Sequence, residues 1–331
     1  MAQGSVRGGQ AGSLVVGEVR TGLLSNRGAL TREQAVRLLA PLAAGESVLT
    51  WERPIAHARS APVVTGLDCQ LPVGADGTRK ARAVGTAASY ASLTGGTILQ
   101  CATVASVRQS AGSRREVWGH YTAHPGVLET LAPQDQDKLA EGFLSEGPAA
   151  ADAGLADFGA VCDRLARKVQ NSSMLQGTAP LLFQWTRLRW AAGIDAQGRP
   201  GAPPTAALVL TDDLSRTLRL NLQASSVEEI TEFCADLALH DWILTTVIRR
   251  MERISGDDSE EDVREISPVV ARLLHLWMPA ARVNAELSEV WSGFERRPGF
   301  SRQWNSLVAR MRDRLSLHTA LQHGVLINHD S

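Results

Sequence analysis

A chain of 331 residues with 44% hydrophobic and 21% charged side chains is long enough for two domains and apolar enough to bury a core. Those proportions exclude a disordered, collagen-like or coiled-coil protein. The formal net charge is -1, but residues 1–125 carry a net +6 and residues 223–331 a net -5.

In chain order, residues 1–13 read as a Gly/Ser/Gln-rich disordered lead-in with no apolar core, hence not as a signal peptide. A β-rich α/β domain is expected over 14–124. It opens with a strand at 14–24, and a helix follows at 32–42, announced by Thr31 and Gln34 in capping-box spacing. Residues 48–59 return to strand, and the punctuation of Pro62, Gly66, Pro72, Gly74 and Gly77 predicts a loop. Residues 82–93 and 97–108 then form a hairpin across Thr94-Gly95-Gly96. The stretch Ala83 to Val107 holds no charged residue. Its many Ser and Thr, Gln100 and the central glycines fit two strands and a turn, so no membrane association is expected.

A helical connector is expected over 125–176, with helices at 126–144 and 157–170 around a weak linker. Residues 177–255 read as a small antiparallel sheet (strands 181–190, 205–210 and 216–222) and a long helix, 227–254. That helix is marked by the capping pair Ser226 and Glu229, with Ile230, Phe233, Cys234, Leu237, Leu244, Val247, Ile248 and Met251 at helical spacing. Residues 256–262 form an acidic linker, and 263–331 a helical C-terminal region. The fold class is α+β.

Chemistry is scarce. No Walker A loop, dinucleotide glycine fingerprint, nucleophile elbow, His-Glu-x-x-His or EF-hand loop occurs. The isolated chain is therefore expected neither to bind ATP or GTP tightly nor to hydrolyse them. No cofactor is expected. Cys69, Cys101, Cys162 and Cys234 lack Cys-x-x-Cys spacing and suit small core residues in a reducing, cytoplasmic setting. Only Lys80, Lys138 and Lys168 are lysines; the arginine excess follows composition, and no specific nucleic-acid binding is expected. His120 with His124, and His318 with His323 and His329, read as surface or capping groups rather than metal ligands.

Two polar sets stand out. His240 and Asp241 fall on or beside the buried face of the 227–254 helix, where each needs a partner. The pair reads as structural hydrogen bonding, as a binding or switch site, or as the centre of a metal-dependent hydrolase. Glu18 and Arg20 share one strand face, with Glu52 and Arg53 on a second strand. If those strands pair, the four form an ion-pair set or a ligand or partner contact.

The strings VGEVRTGLL (16–24), ERPIA (52–56), TGLDCQLP (65–72) and LALHDW (237–242) together resemble a family of uncharacterised cytoplasmic proteins of Streptomyces and related actinobacteria, whose genes often neighbour one for a variant P-loop protein. No activity or catalytic residue comes with that resemblance. It implies a protein partner, a P-loop NTPase-like protein, for a chain without a phosphate loop of its own. The expectation is a non-enzymatic interaction or scaffold subunit of a cytoplasmic, nucleotide-responsive complex.

Overall fold

Strand β1 (Ser13–Leu23) reads as a nearly continuous apolar run because both of its faces are covered. In the computed structural model, which describes residues 13–43, 47–145, 154–177, 184–195, 203–253, 259–281 and 283–329, β1 lies near the middle of one mixed ten-stranded sheet. Val15, Val19 and Leu23 join a core with Trp190, Phe233 and Leu237 on one face. Leu14 and Val16 join another with Leu139, Phe143 and Phe158 on the opposite face. The class is α+β as expected, with a β-rich N-terminal part and a helical C-terminal region.

Helix α1 (Arg32–Leu39) starts at Thr31 with the expected capping box and runs into a 3-10 turn, Ala40–Leu42. The strand expected at 48–59 is two short ones, β2 (Leu49–Trp51) and β3 (His57–Arg59), paired antiparallel. The expected loop at 62–77 is mostly strand: β4 (Val63–Val73) turns Cys69, Leu71 and Val73 inward and leaves Val64, Gly66, Asp68 and Gln70 exposed. Its glycine and prolines were the misleading signal. Pro72 is tolerated because, among the described residues, β5 is the one strand that β4 pairs with, and its outer edge carries only a bridge from Gln70 to Leu155, so a missing N–H there is harmless.

β5 (Arg79–Thr94) and β6 (Ile98–Gln109) form the expected hairpin, with Gly95 and Gly96 both at positive φ in its turn. Their pairing runs only from Ala88 to Thr94 on β5. Nearer the start of β5 the two strands part, and β7 (Val127–Thr130) enters between them, antiparallel to β5 and parallel to β6. Gly85, at φ 155°, makes this possible, since a Cβ there would collide with the Val127 carbonyl oxygen. Gly85→Ala is expected to cost about 3 kcal/mol in urea denaturation, from strain plus overpacking; a loss below about 1 kcal/mol would contradict this account of the β7 junction.

The helix expected at 126–144 is therefore wrong in its first half. Pro133 separates β7 from α3 (Gln136–Leu144), which has its own N-cap in Asp135. Between β6 and β7 lies the short helix α2 (Trp118–Thr122). Helix α4 (Phe158–Gln170) forms as expected.

The later strands are β8 (Thr186–Ile194), β9 (Thr205–Leu210) and β10 (Ser215–Leu222); residues 181–183 of the first expected strand lie outside the described residues. They do not make a separate antiparallel sheet. β8 pairs with β1, and β10 runs parallel to β8, so they extend the N-terminal sheet. Helix α5 (Val227–Glu252), capped by Ser226 and Glu229, lies across β1, β6 and β8. It is buried on more than the expected stripe, including Trp242 and Ile243, because C-terminal helices cover its outer side. These are α6 (Ser259–Arg272), α7 (Ala285–Arg296) and α8 (Phe300–His329). The start of α6 falls within the expected acidic linker; residues 256–258, like the lead-in 1–12, lie outside the described residues. Helices α1, α3 and α4 cover the opposite sheet face. Among the described residues no helix is long and apolar enough to cross a membrane.

Candidate functional site

The two N-terminal pairs do not come together, because β2 pairs with β3 at the sheet's far end while β1 lies between β6 and β8. Glu52 instead makes an exposed ion pair with Arg32 at 2.7 Å. Glu18 and Arg20 do meet as period two requires, Arg20 Nε lying 3.1 Å from Glu18 Oε1. Glu18 is wholly buried and also faces Arg189 Nε at 3.4 Å, while Arg20 reaches Asp163 on α4 at 3.4 Å. The first turn of α4 closes over the carboxylate at Gly159, where a Cβ would lie 2.7 Å from Glu18 Oε1. Two guanidiniums and the positive end of a helix thus compensate one buried charge.

His240 and Asp241 diverge. The His240 ring is buried, its Nδ1 2.7 Å from the Asp236 carbonyl oxygen, and its Nε2 accepts from the Met278 N–H at 3.2 Å. The second bond needs a lone pair on Nε2, so Nδ1 carries the proton and donates to Asp236. Trp277 and Trp291 pack edge-on against the ring, with centroids 5.1 and 5.9 Å away. Asp236 Oδ2 accepts from the Ala280 N–H at 2.9 Å, and Ala280 has a φ of 58°. His240 and Asp236, one turn apart, therefore fasten the 278–280 turn. Asp241 points to the sheet, where Arg216 Nε is 3.1 Å from its Oδ1. Arg216 also donates to the Asp212 carbonyl and to Thr245 Oγ1. Burial pushes the Asp241 carboxyl above its usual range, against the pull of Arg216. Both His240 nitrogens are engaged and Asp241 is committed elsewhere, so the pair assembles no ligand set.

His57 and His124 are also engaged, with Thr94 Oγ1 and the His120 carbonyl oxygen, each at 3.0 Å. His120 Nε2 lies 2.9 Å from Glu129 Oε1, and the side chains of His318, His323 and His329 lie outside the described residues. Among the described residues no three His, Cys, Asp or Glu side chains converge as a metal site. All four cysteines are free and buried, and burial, with Asp68 nearby, pushes the Cys69 thiol up to about 12.

The feature that sequence reasoning missed is a cleft of about 370 Å³ beside His240, a size typical of small-molecule pockets. It is framed by the β2–β3 turn, β5, β6, α5 and the residues Met278, Ala281 and Val283. Trp51, Ile55, Tyr90, Leu239, Met278 and Val283 give it apolar walls. Gln100, Ser92 and Thr94, each at most 7% exposed, form its polar floor. The Gln100 amide nitrogen donates to Thr21 Oγ1 at 3.1 Å and to the Ala235 carbonyl at 2.8 Å. The second partner can only accept, which fixes the amide orientation and leaves the carboxamide oxygen without a partner among the described residues.

Arg59 crosses one wall. It pairs with Glu228 at 3.0 Å and Glu232 at 2.7 Å and lies over the Trp51 and Tyr90 rings at 5.9 and 5.2 Å. Its Nε atom is buried without a hydrogen-bond partner among the described residues. Arg53, one of the sequence candidates, stands exposed at the mouth and makes no ion pair among the described residues. It is the only member of the N-terminal set that reaches this cleft. The single sequence clue to the cleft was the polar interruption of otherwise apolar strands, Ser92, Thr94 and Gln100 in the uncharged hairpin. Comparison with protein-family models, with curated proteins and with solved structures gives no match.

Proposed function

We propose that the protein is a non-enzymatic, ligand-binding interaction subunit whose cleft takes up a small organic molecule. The cleft's mixed lining carries this reading: apolar and aromatic walls, with Gln100 and Arg53 offering unpaired polar groups at floor and mouth. The Gln100 oxygen faces the cleft, where a donor from water or from a ligand satisfies it. The fastening of the 278–280 turn by His240 and Asp236 links the cleft wall to the C-terminal helices, a route by which occupancy reaches the surface.

The interaction half of the proposal draws on β9, which ends the sheet with no strand beyond it among the described residues. Val209 and Leu210 on it are 56% and 62% exposed, an apolar edge of the kind that pairs with other chains. The partner proposed is a P-loop NTPase-like protein in a cytoplasmic complex, supported by the family resemblance and by the lack of a phosphate loop here.

Equilibrium dialysis of the full chain against small-molecule extract, followed by mass spectrometry, tests the binding half. A control variant, Ala281→Trp, places an indole at the exposed rim of the cleft and leaves the core untouched. The expected result is a compound enriched by the native chain, raising its melting temperature, and lost in Ala281→Trp. Equal retention by both proteins, or none by either, would overturn the proposal.

A further inference from the structure

We infer that the cleft is selective for a planar aromatic acid that carries an N–H or O–H donor at the end away from its anionic group. This rests on the reading of the cleft as a ligand site and specifies what it takes.

The floor sets one end. Gln100 is 3% exposed, and its amide nitrogen is held by an obligate acceptor, so the group left over is an acceptor. A ligand that brings a donor satisfies it; one that brings only acceptors or methyl groups leaves it orphaned and desolvated, the more costly outcome. The buried Ser92 hydroxyl beside it on the floor makes no hydrogen bond among the described residues and adapts to either role.

The mouth sets the other end. Among the described residues, four charged side chains line the cleft: Arg53, Arg59, Glu232 and Asp236. Arg59 is neutralised by Glu228 and Glu232, and Asp236 is occupied by the Ala280 N–H and the neighbouring His240 ring. Of these four, Arg53 alone makes no ion pair among the described residues, and it is the exposed one. A guanidinium at the rim of an apolar cleft selects a carboxylate or similar planar anion. Between floor and mouth, the Trp51 and Tyr90 rings and the aliphatic Ile55 offer apolar surface, which favours a ring over a flexible chain because a rigid ligand loses less freedom on binding.

Four probes sharing one ring separate these requirements: indole-3-acetate, its N-methyl derivative, indole-3-acetamide and tryptamine. Calorimetry on the full-length chain is expected to rank indole-3-acetate first. N-methylation, which removes the donor, and amidation, which removes the charge, each weaken binding by about tenfold or more, and tryptamine binds weakest. Arg53→Gln, at an exposed position that leaves the fold intact, is expected to abolish the preference for acid over amide while keeping the preference for N–H over N-methyl. Ala281→Trp should remove binding of all four. The inference is overturned if the amide or the amine binds as tightly as the acid, if Arg53→Gln keeps the acid preference, or if none of the four binds at millimolar concentration. In each of these cases the dialysis experiment decides separately whether the cleft is a ligand site: a retained compound sensitive to Ala281→Trp leaves that reading standing while the ligand class falls.

Discussion

Glu18→Ala is expected to lower the unfolding free energy by about 3–5 kcal/mol, the cost of breaking a buried ion pair and leaving its partners uncompensated. Arg20 and Arg189 both face that carboxylate, and Arg187, whose pKa burial lowers, also feels its charge. With the carboxylate gone, guanidiniums on neighbouring strands repel one another across a site that α4 closes at Gly159. Arg20 and Arg189 each keep about a fifth of their side chain exposed, so partial relief by water holds the loss toward the lower end. Glu52→Ala is the matched control, because its pair with Arg32 is exposed on both sides; stability should change by no more than about 0.5 kcal/mol. Urea denaturation of the two variants measures the contrast. Equal, small losses in both would mean that Glu18 does not hold β1 against α4.

That contrast also locates what the sequence makes legible. Period two places Glu18 beside Arg20, and the structure agrees. Nothing local tells that Arg189, 171 residues later, supplies the second cation, or that a helix first turn covers the site. The same holds for the cleft, where Arg59 meets Glu232 across 173 residues. Features written in a short window were legible: the Thr31–Gln34 and Ser226–Glu229 capping boxes, the Gly95-Gly96 hairpin and the apolar stripe of α5. The error at β4 had a different origin. Its inward residues alternate through Cys69, Leu71 and Val73, but Pro62, Gly66, Pro72, Gly74 and Gly77 read as breakers, although a strand at a sheet edge tolerates proline. The error at β8 and β10 was one of topology: strand alternation reports which face is buried, and it is silent on which neighbour runs alongside. His240 and Asp241 were placed correctly on a buried helix, yet neighbours in sequence are turned about 100° apart on an α-helix, so one serves the 278–280 turn and the other the sheet.

The Asp241–Arg216 pair carries the second large expectation, because its worth depends on which partner is removed. Arg216 is 5% exposed and Asp241 14% by side chain, so the charges were taken out of water at a cost that their attraction only partly offsets. Asp241→Ala leaves a buried guanidinium with only carbonyl and hydroxyl partners and should cost about 3–5 kcal/mol, whereas Arg216→Met with Asp241→Leu should recover most of that loss. The pH dependence follows from the direction of the shift. Burial holds the folded-state pKa of Asp241 above its ordinary 3.8, so between those two values the folded chain binds more protons than the unfolded one. Stability from this group therefore falls as pH rises from near 3.8 through the folded pKa, and is recovered as pH falls again. Asp241→Asn removes the titration. The stability of native protein relative to Asp241→Asn is thus expected to decline as pH is raised through that window and to level off above it. A difference that instead grows in favour of the native chain as pH rises would mean that Arg216 outweighs desolvation and that the carboxyl is held below its ordinary range.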